Sequence, residues 1–171
     1  MARNSGGQIG DAALFRLAAR VGRRLAADRQ VVTTAESCTG GWIAKALTDV
    51  AGSSQWFLDG LVTYSNQSKT ALLGVPAAVL LKFGAVSEPT VRAMATGALT
   101  RADVQRSVAV TGIAGPGGAV PGKPVGTVWL AWGVRRGRSV CVVVELRRFR
   151  GNREVVRRKV VRAALEGLLR R

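Results

Sequence analysis

The chain contains the stretch Gln30-Val31-Val32-Thr33-Thr34-Ala35-Glu36-Ser37-Cys38-Thr39-Gly40-Gly41, which predicts a strand followed by a tight turn. Residues 30–34 are rich in β-branched side chains, as is typical of a short buried strand, and residues 42–50 have the apolar spacing of a helix. A glycine turn between a strand and a helix points backbone N–H groups and the positive end of the helix dipole at whatever lies above Ser37. Such an arrangement can bind an anion or stabilise an oxyanion.

Helices and strands alternate along the first part of the chain, and a predicted hairpin precedes the last helix. Apolar spacing predicts helices over residues 11–28, 42–50, 66–73, 76–83, 87–102 and 152–169, with Asn66 as the N-cap of the third. Apolar and β-branched runs predict strands over residues 30–34, 57–65, 107–111, 125–134 and 140–148. This order predicts a three-layer α/β/α domain with a mixed β-sheet.

Length and composition indicate a single globular domain. The chain has 171 residues, of which 47% are hydrophobic, enough to bury a core without disulfides or structural metal. We expect a flexible N-terminal tail over residues 1–10 and one domain over residues 11–171. Two cysteines, Cys38 and Cys141, do not make a disulfide framework, which favours a reducing cytoplasm. No apolar run has the length of a signal-peptide core or a membrane span.

The formal net charge is +16, and half of the lysines and arginines lie in residues 135–171. This excess raises the hypothesis of a basic, non-catalytic module that binds nucleic acid or a partner protein. Only Phe149 lies among the basic residues of the second half of that segment, so aromatic side chains for base stacking are missing. We favour the alternative that these arginines form a solvated helix surface and cover apolar area with their stems.

The sequence contains no histidine, which is the usual general base and the commonest metal ligand. Serine–histidine and cysteine–histidine hydrolases and most catalytic zinc sites are therefore excluded, and no cluster of residues requires a metal or another cofactor. A lysine or a tyrosine can activate Ser37 instead, and Tyr64 and Lys69 offer both, since burial lowers the pKa of a lysine. The alternatives are that Ser37 is a turn residue, that Lys69 lies on a solvated helix face and that Tyr64 packs in the core.

A second glycine-rich segment, residues 111–124, separates two predicted strands. It contains Gly117 and Gly122-Lys123, a near match to a phosphate-binding P-loop, but Pro124 stands where a serine or threonine would bind Mg²⁺. Hydrolysis of nucleoside triphosphates is excluded on this ground. The segment is either a flexible connection or a loop whose backbone amides line a site at the end of a strand.

Five blocks, in order, give the chain a resemblance to a known family. The blocks are Thr33-Thr34-Ala35-Glu36-Ser37-Cys38-Thr39-Gly40-Gly41, Val62-Thr63-Tyr64-Ser65-Asn66 within residues 60–69, Gly84-Ala85-Val86-Ser87-Glu88-Pro89, Thr111-Gly112-Ile113-Ala114-Gly115-Pro116 and Lys123-Pro124-Val125-Gly126-Thr127-Val128. Together they resemble the CinA C-terminal domain family, the family of nicotinamide mononucleotide deamidases, over residues 12–168. The chain is similar in length to the single-domain members of that family.

The resemblance implies hydrolysis of the carboxamide of nicotinamide mononucleotide to nicotinate mononucleotide and ammonia, in pyridine nucleotide recycling. It implies that Ser37 is the nucleophile and that Lys69, in its neutral form and with Tyr64, draws the proton from Ser37. It also implies a homo-oligomer. No cofactor and no metal are expected.

The same resemblance implies a set of substrate-binding residues. Backbone amides of the turn are expected to hold the oxyanion, the loop after residue 110 to close over the pyridine ring or ribose, and an arginine to hold the 5′-phosphate. These residues are Thr39, Gly40, Gly41, Thr111, Gly112 and Arg153. Members of the family commonly have Phe-x-Gly-Asp-Arg before the last helix, whereas this chain has Phe149-Arg150-Gly151-Asn152-Arg153, which keeps an N-cap and removes a carboxylate.

Overall fold

A computed structural model describes residues 9–171, so residues 1–8 of the predicted N-terminal tail lie outside the described part of the chain. Helices and strands follow the predicted order. In sequence they are α1 (Asp11–Ala27), β1 (Val32–Glu36), α2 (Trp42–Thr48), β2 (Phe57–Val62), α3 (Asn66–Leu73), α4 (Ala77–Phe83), α5 (Glu88–Ala102), β3 (Arg106–Gly112), β4 (Thr127–Arg136), β5 (Ser139–Arg148) and α6 (Arg153–Arg170).

The strands form one mixed sheet in the order β2-β1-β3-β4-β5. Strand β1 is parallel to both β2 and β3, whereas β4 and β5 add antiparallel strands on the far side of β3. One face of the sheet packs against α1, α2 and α6, and the other packs against α3, α4 and α5. The predicted three-layer α/β/α fold with a mixed sheet is confirmed.

Several boundaries differ from the sequence prediction: β2 ends at residue 62 rather than 65, and β4 covers residues 127–136 rather than 125–134. Two further differences arise because polar side chains are used inside the fold. Strand β1 covers residues 32–36 rather than 30–34, since the carboxylate of Glu36 is fully buried and satisfied by backbone N–H groups of α2. Helix α3 is capped by Ser65, not by Asn66. The Ser65 hydroxyl accepts the Ser68 N–H at 3.0 Å and the Ser65 N–H donates to the Ser68 hydroxyl at 3.1 Å, which is a capping box.

Two glycines in the helices make room for the largest side chains of the core. A Cβ added at Gly167 of α6 would overlap the indole of Trp132 on β4, and one at Gly22 of α1 would lie 2.5 Å from Cζ2 of Trp56. The Trp132 indole N–H also donates to the carbonyl of Ala164 at 2.9 Å. These close approaches set the distance between the helices and the layer beneath them.

A third close approach lies on the opposite face of the sheet and concerns α3 and α5. A Cβ added at Gly97 of α5 would lie 2.8 Å from the carbonyl carbon of Leu73, the last residue of α3, and closer still to its oxygen. The backbones of the two helices therefore touch at this point. Because Lys69 is also in α3, this contact helps to position the backbone from which the Lys69 side chain extends.

Within residues 9–171 the longest helices are either too short or too polar to cross a bilayer.

Candidate active site

A small cleft lies at the carboxyl ends of the parallel strands β1 and β3, the edge of the sheet where ligands of α/β proteins usually bind. Its volume is about 220 Å³. The lining residues are Ser37, Cys38, Tyr64, Lys69, Ala85, Val86, Thr111, Gly112, Ala114 and Arg153. A larger depression of about 660 Å³ between α3, α4 and α5 includes neither Ser37 nor Lys69.

Ser37 and Lys69, which are 32 positions apart in the sequence, are in contact in the cleft. The Lys69 Nζ lies 3.2 Å from the Ser37 Oγ, 2.7 Å from the carbonyl oxygen of Thr63 and 3.4 Å from that of Tyr64. Lys69 is 1% exposed and Ser37 is 9% exposed. Burial lowers the pKa of Lys69 below its ordinary value of 10.5, because removal from water disfavours the charged amine. A neutral amine beside a hydroxyl can act as its base.

Parallel pairing of β1 with β2 is what brings these two side chains together. The Thr63 N–H donates to the carbonyl of Glu36 at 2.8 Å, so the chain leaves β2 beside the residue that precedes Ser37. Ser65 then caps α3, and Lys69 lies one helical turn further on. From this first turn of α3 the Lys69 side chain reaches the Ser37 hydroxyl.

Tyr64 lies at the mouth of the cleft, and its phenol does not lie between Ser37 and Lys69. The side chain is 62% exposed, and its hydroxyl accepts a hydrogen bond from Nη2 of Arg153 at 3.1 Å. Arg153 also donates through Nη1 to the carbonyl of Gly115 at 2.7 Å. The backbone carbonyl of Tyr64, rather than its phenol, faces the lysine. The hydrogen-bonded side chains of Tyr64 and Arg153 therefore lie side by side at the mouth of the cleft.

The turn after Ser37 is organised by the buried carboxylate of Glu36. Its two oxygens accept the N–H groups of Gly41 and Ile43 at 3.0 Å each and of Ala44 at 2.8 Å, so the positive end of α2 is neutralised from within. The Gly40 N–H donates to the Ser37 carbonyl at 3.1 Å.

Three turn residues predicted as substrate ligands from the sequence, Thr39, Gly40 and Gly41, are not among the residues that line the cleft. The N–H groups of Gly40 and Gly41 are used within the turn, by the Ser37 carbonyl and by the Glu36 carboxylate. Thr39 is fully buried, and the cleft lining includes none of the three. In this structure the N–H groups of Gly40 and Gly41 thus already have acceptors within the turn.

Thr111 and Gly112 do line the cleft, at the end of β3. The Thr111 hydroxyl donates to the carbonyl of Ala85 at 2.8 Å and so holds the loop between α4 and α5 against the site. The Ser37 N–H donates to Val110 O at 3.1 Å, and Gly112 is the next residue whose N–H points toward β1. Because β1 ends at Glu36, that N–H faces the cleft rather than a strand.

Comparison with known proteins identifies the family of this chain. The family model of the CinA C-terminal domain matches residues 14–171. The chain is a member of the CinA C-terminal domain family. The resemblance seen in the sequence is thereby confirmed.

Relatives in the CinA family match over most of both chains. A protein of Pseudomonas putida named nicotinamide-nucleotide amidohydrolase PncC is 54% identical over 90% of this chain and 93% of its own length. A protein of the same name from Escherichia coli K12 is 49% identical over 92% of this chain and 94% of its own. The crystal structure of a Klebsiella pneumoniae competence damage-inducible protein A superposes with a TM-score of 0.87 at 40% identity, covering 92% of this chain and 96% of that one.

Some residues of this CinA-family site were assigned no role from the sequence. Glu36 stands within one of the family blocks, and the only sequence signal for its role is that a carboxylate near a helix N-terminus is stabilising. Ala85 and Val86 form a wall of the cleft, and local patterning gives no sign of this because they lie between α4 and α5, distant in the sequence from Ser37. Their position depends on the fold.

Proposed function

We propose that this chain hydrolyses the carboxamide of nicotinamide mononucleotide to nicotinate mononucleotide and ammonia. The observation that carries the proposal is the 3.2 Å contact between Ser37 and a buried lysine whose pKa is lowered. The names of relatives at about half identity over most of the chain support a nicotinamide nucleotide as the substrate. A place in pyridine nucleotide recycling is part of the proposal and follows from the family resemblance. The contact supports an amidase mechanism with a serine nucleophile and an amine base.

In the first half-reaction the neutral amine of Lys69 takes the proton of Ser37 as Oγ attacks the carboxamide carbon. The ammonium that forms keeps the carbonyl oxygens of Thr63 and Tyr64 as hydrogen-bond acceptors, which hold the added proton in place. Lys69 then passes this proton to the amide nitrogen, the C–N bond breaks, and ammonia leaves an ester on Ser37.

In the second half-reaction water attacks the ester, Lys69 takes a proton from the water, and the C–O bond to Ser37 breaks. Lys69 then returns the proton to Ser37, so the enzyme is restored and the nicotinate product leaves. We assign the oxyanion contacts to the N–H of Cys38, the residue that follows the nucleophile, and to the N–H of Gly112 at the end of β3. Both residues line the cleft, unlike Gly40 and Gly41.

The mouth of the cleft is where the phosphate end of the substrate would bind. Arg153 lies there with two donors, and a guanidinium grips phosphate through parallel hydrogen bonds. We propose that the phosphate replaces the present contacts of Arg153 and that the Tyr64 phenol, beside it, contacts the ribose or phosphate. In this assignment Tyr64 serves the base only through its backbone carbonyl.

The proposal is tested by incubating the purified protein with nicotinamide mononucleotide and measuring ammonia together with the acid product. Ser37→Ala is expected to abolish both while the protein stays folded. Ser54→Ala, which removes an exposed hydroxyl far from the cleft, is the matched control and is expected to keep full activity. Wild-type protein that releases no ammonia would overturn the substrate assignment, and an active Ser37→Ala variant would overturn the serine mechanism.

The alternative function, a basic module that binds nucleic acid, has less support because several arginines of the basic segment, residues 135–171, form ion pairs within the protein. Arg158 pairs with Asp11 and Glu154, and Arg147 and Arg171 pair with Glu145. Retention on DNA or RNA with a steep dependence on salt at physiological ionic strength would favour this alternative.

A further inference from the structure

Arg157 of α6 holds the turn that carries Ser37, although 118 or more residues separate the two in the sequence. Its Nε donates to the carbonyl of Cys38 at 3.2 Å and its Nη2 donates to the carbonyl of Thr39 at 2.6 Å. One planar guanidinium thus spans two successive peptide carbonyls that directly follow the nucleophile. An ammonium cannot reproduce this fork, because it is a compact point charge.

The guanidinium of Arg157 makes these hydrogen bonds to carbonyl oxygens and, among residues 9–171, forms no ion pair. It is half-buried and lies 5.3 Å from the ring centre of Trp42, the first residue of α2. Within residues 9–171 no carboxylate lies at salt-bridge distance from it, whereas the neighbouring Arg158 pairs with two. A half-buried charge that loses water and gains no counter-ion is costly. The two carbonyl contacts are what offset this cost.

These two contacts bear on the geometry of Ser37. Peptide units are planar, so fixing the carbonyls of Cys38 and Thr39 fixes the orientation of the peptides that follow Ser37. The Ser37 Oγ lies 3.2 Å from the Lys69 amine, close to the 3.5 Å at which a hydrogen bond is lost, so a shift of about half an ångström breaks the contact. Glu36 restrains the other side of the turn through Gly41.

We propose that Arg157 is a positioning residue that holds Ser37 in register with Lys69. It acts through the carbonyls of Cys38 and Thr39 and does not contact the substrate. The kinetic part of this inference rests on the proposed function, whereas the structural part, the restraint on the turn, does not.

The test compares Arg157→Met, which keeps the length and removes the donors, with Arg157→Lys and with the matched control Arg158→Met. The Arg158 guanidinium lies 4.8 Å from the centre of the same Trp42 ring but donates to no carbonyl of the turn. The Arg158→Met variant therefore measures the effect of losing a packing contact on Trp42 alone. Two quantities are measured for each variant: kcat and KM for nicotinamide mononucleotide, and the hydrogen exchange of the backbone amides in residues 37–42.

For Arg157→Met we expect kcat to fall about 10- to 100-fold, since a misplacement of the order of 1 Å costs that much, with KM changed by less than about threefold. Exchange in residues 37–42 is expected to become faster. Arg157→Lys should recover part of kcat, and Arg158→Met should change neither quantity by more than about twofold.

Several outcomes would overturn the inference. Unchanged kcat in Arg157→Met would do so, and so would equal losses in Arg157→Met and Arg158→Met, which would mean packing on Trp42 alone. A raised KM with unchanged kcat would make Arg157 a substrate ligand instead. If the wild type releases no ammonia, the proposed function fails by itself, and the exchange measurement alone decides about Arg157: unchanged exchange overturns it.

Discussion

The contact between α3 and α5 makes Gly97→Ala a sharp test of how Lys69 is positioned. The new Cβ would lie 2.8 Å from the carbonyl carbon of Leu73, whereas carbon atoms in a packed interior approach to about 3.5 Å, so the helices must separate by at least about 0.7 Å. If α3 takes up this shift, the distance from the Lys69 amine to the Ser37 hydroxyl grows from 3.2 Å beyond the range of a hydrogen bond.

We therefore expect Gly97→Ala to lower kcat by about 10- to 100-fold and to destabilise the fold by about 1–3 kcal/mol. The loss would occur although alanine is the better helix former by about 1 kcal/mol. Ammonia release from nicotinamide mononucleotide measures the first effect and urea unfolding the second. Thr100→Ala, on an exposed position of the same helix, is the control and should leave both unchanged. Wild-type kcat and stability in Gly97→Ala would refute the reasoning.

Three further predictions concern buried charges. The amidase rate should rise with pH through the lowered pKa of Lys69 and then level off, because only the neutral amine is a base; a flat pH–rate profile contradicts this. Between that pKa and 10.5 the unfolded chain binds the extra proton, so the contribution of Lys69 to stability rises with pH; in denaturant unfolding, the stability of wild type relative to Lys69→Met should therefore increase with pH across this window. Glu36→Gln weakens three hydrogen bonds to a carboxylate and should cost about 1.5–3 kcal/mol in urea unfolding, so a change below about 0.5 kcal/mol would count against the capping role.

The helices and strands were predictable because apolar spacing reports directly on which face of each element is buried. The boundaries of β1 were not, since charged residues are rarely buried and Glu36 is. Likewise the capping box of α3 depends on the side chains of Ser65 and Ser68 together, whereas the sequence prediction placed the cap at the following Asn66.

The contact of Ser37 with Lys69 is the part of the site for which the sequence was most informative. Absence of histidine leaves few bases, and the family resemblance points to the same pair. The direction of the Tyr64 phenol depends on the backbone of one turn, and the residues that hold the nucleophile turn from α6 depend on how distant segments pack. Neither follows from local patterning, because the two contacts join residues 89 and 118 positions apart and no local pattern encodes such contacts.

The glycines that receive Trp56 and Trp132 tie distant positions of the chain to one another. Gly167 cannot gain even a methyl group while the indole of Trp132 remains, and the same holds for Gly22 and Trp56. In related proteins these positions are expected to covary, with a bulkier helix residue appearing only where the tryptophan has been exchanged for something smaller. A larger residue at the glycine alone would overlap the indole, so we expect the glycine and the tryptophan of each pair to be substituted together, with their combined side-chain volume kept roughly constant.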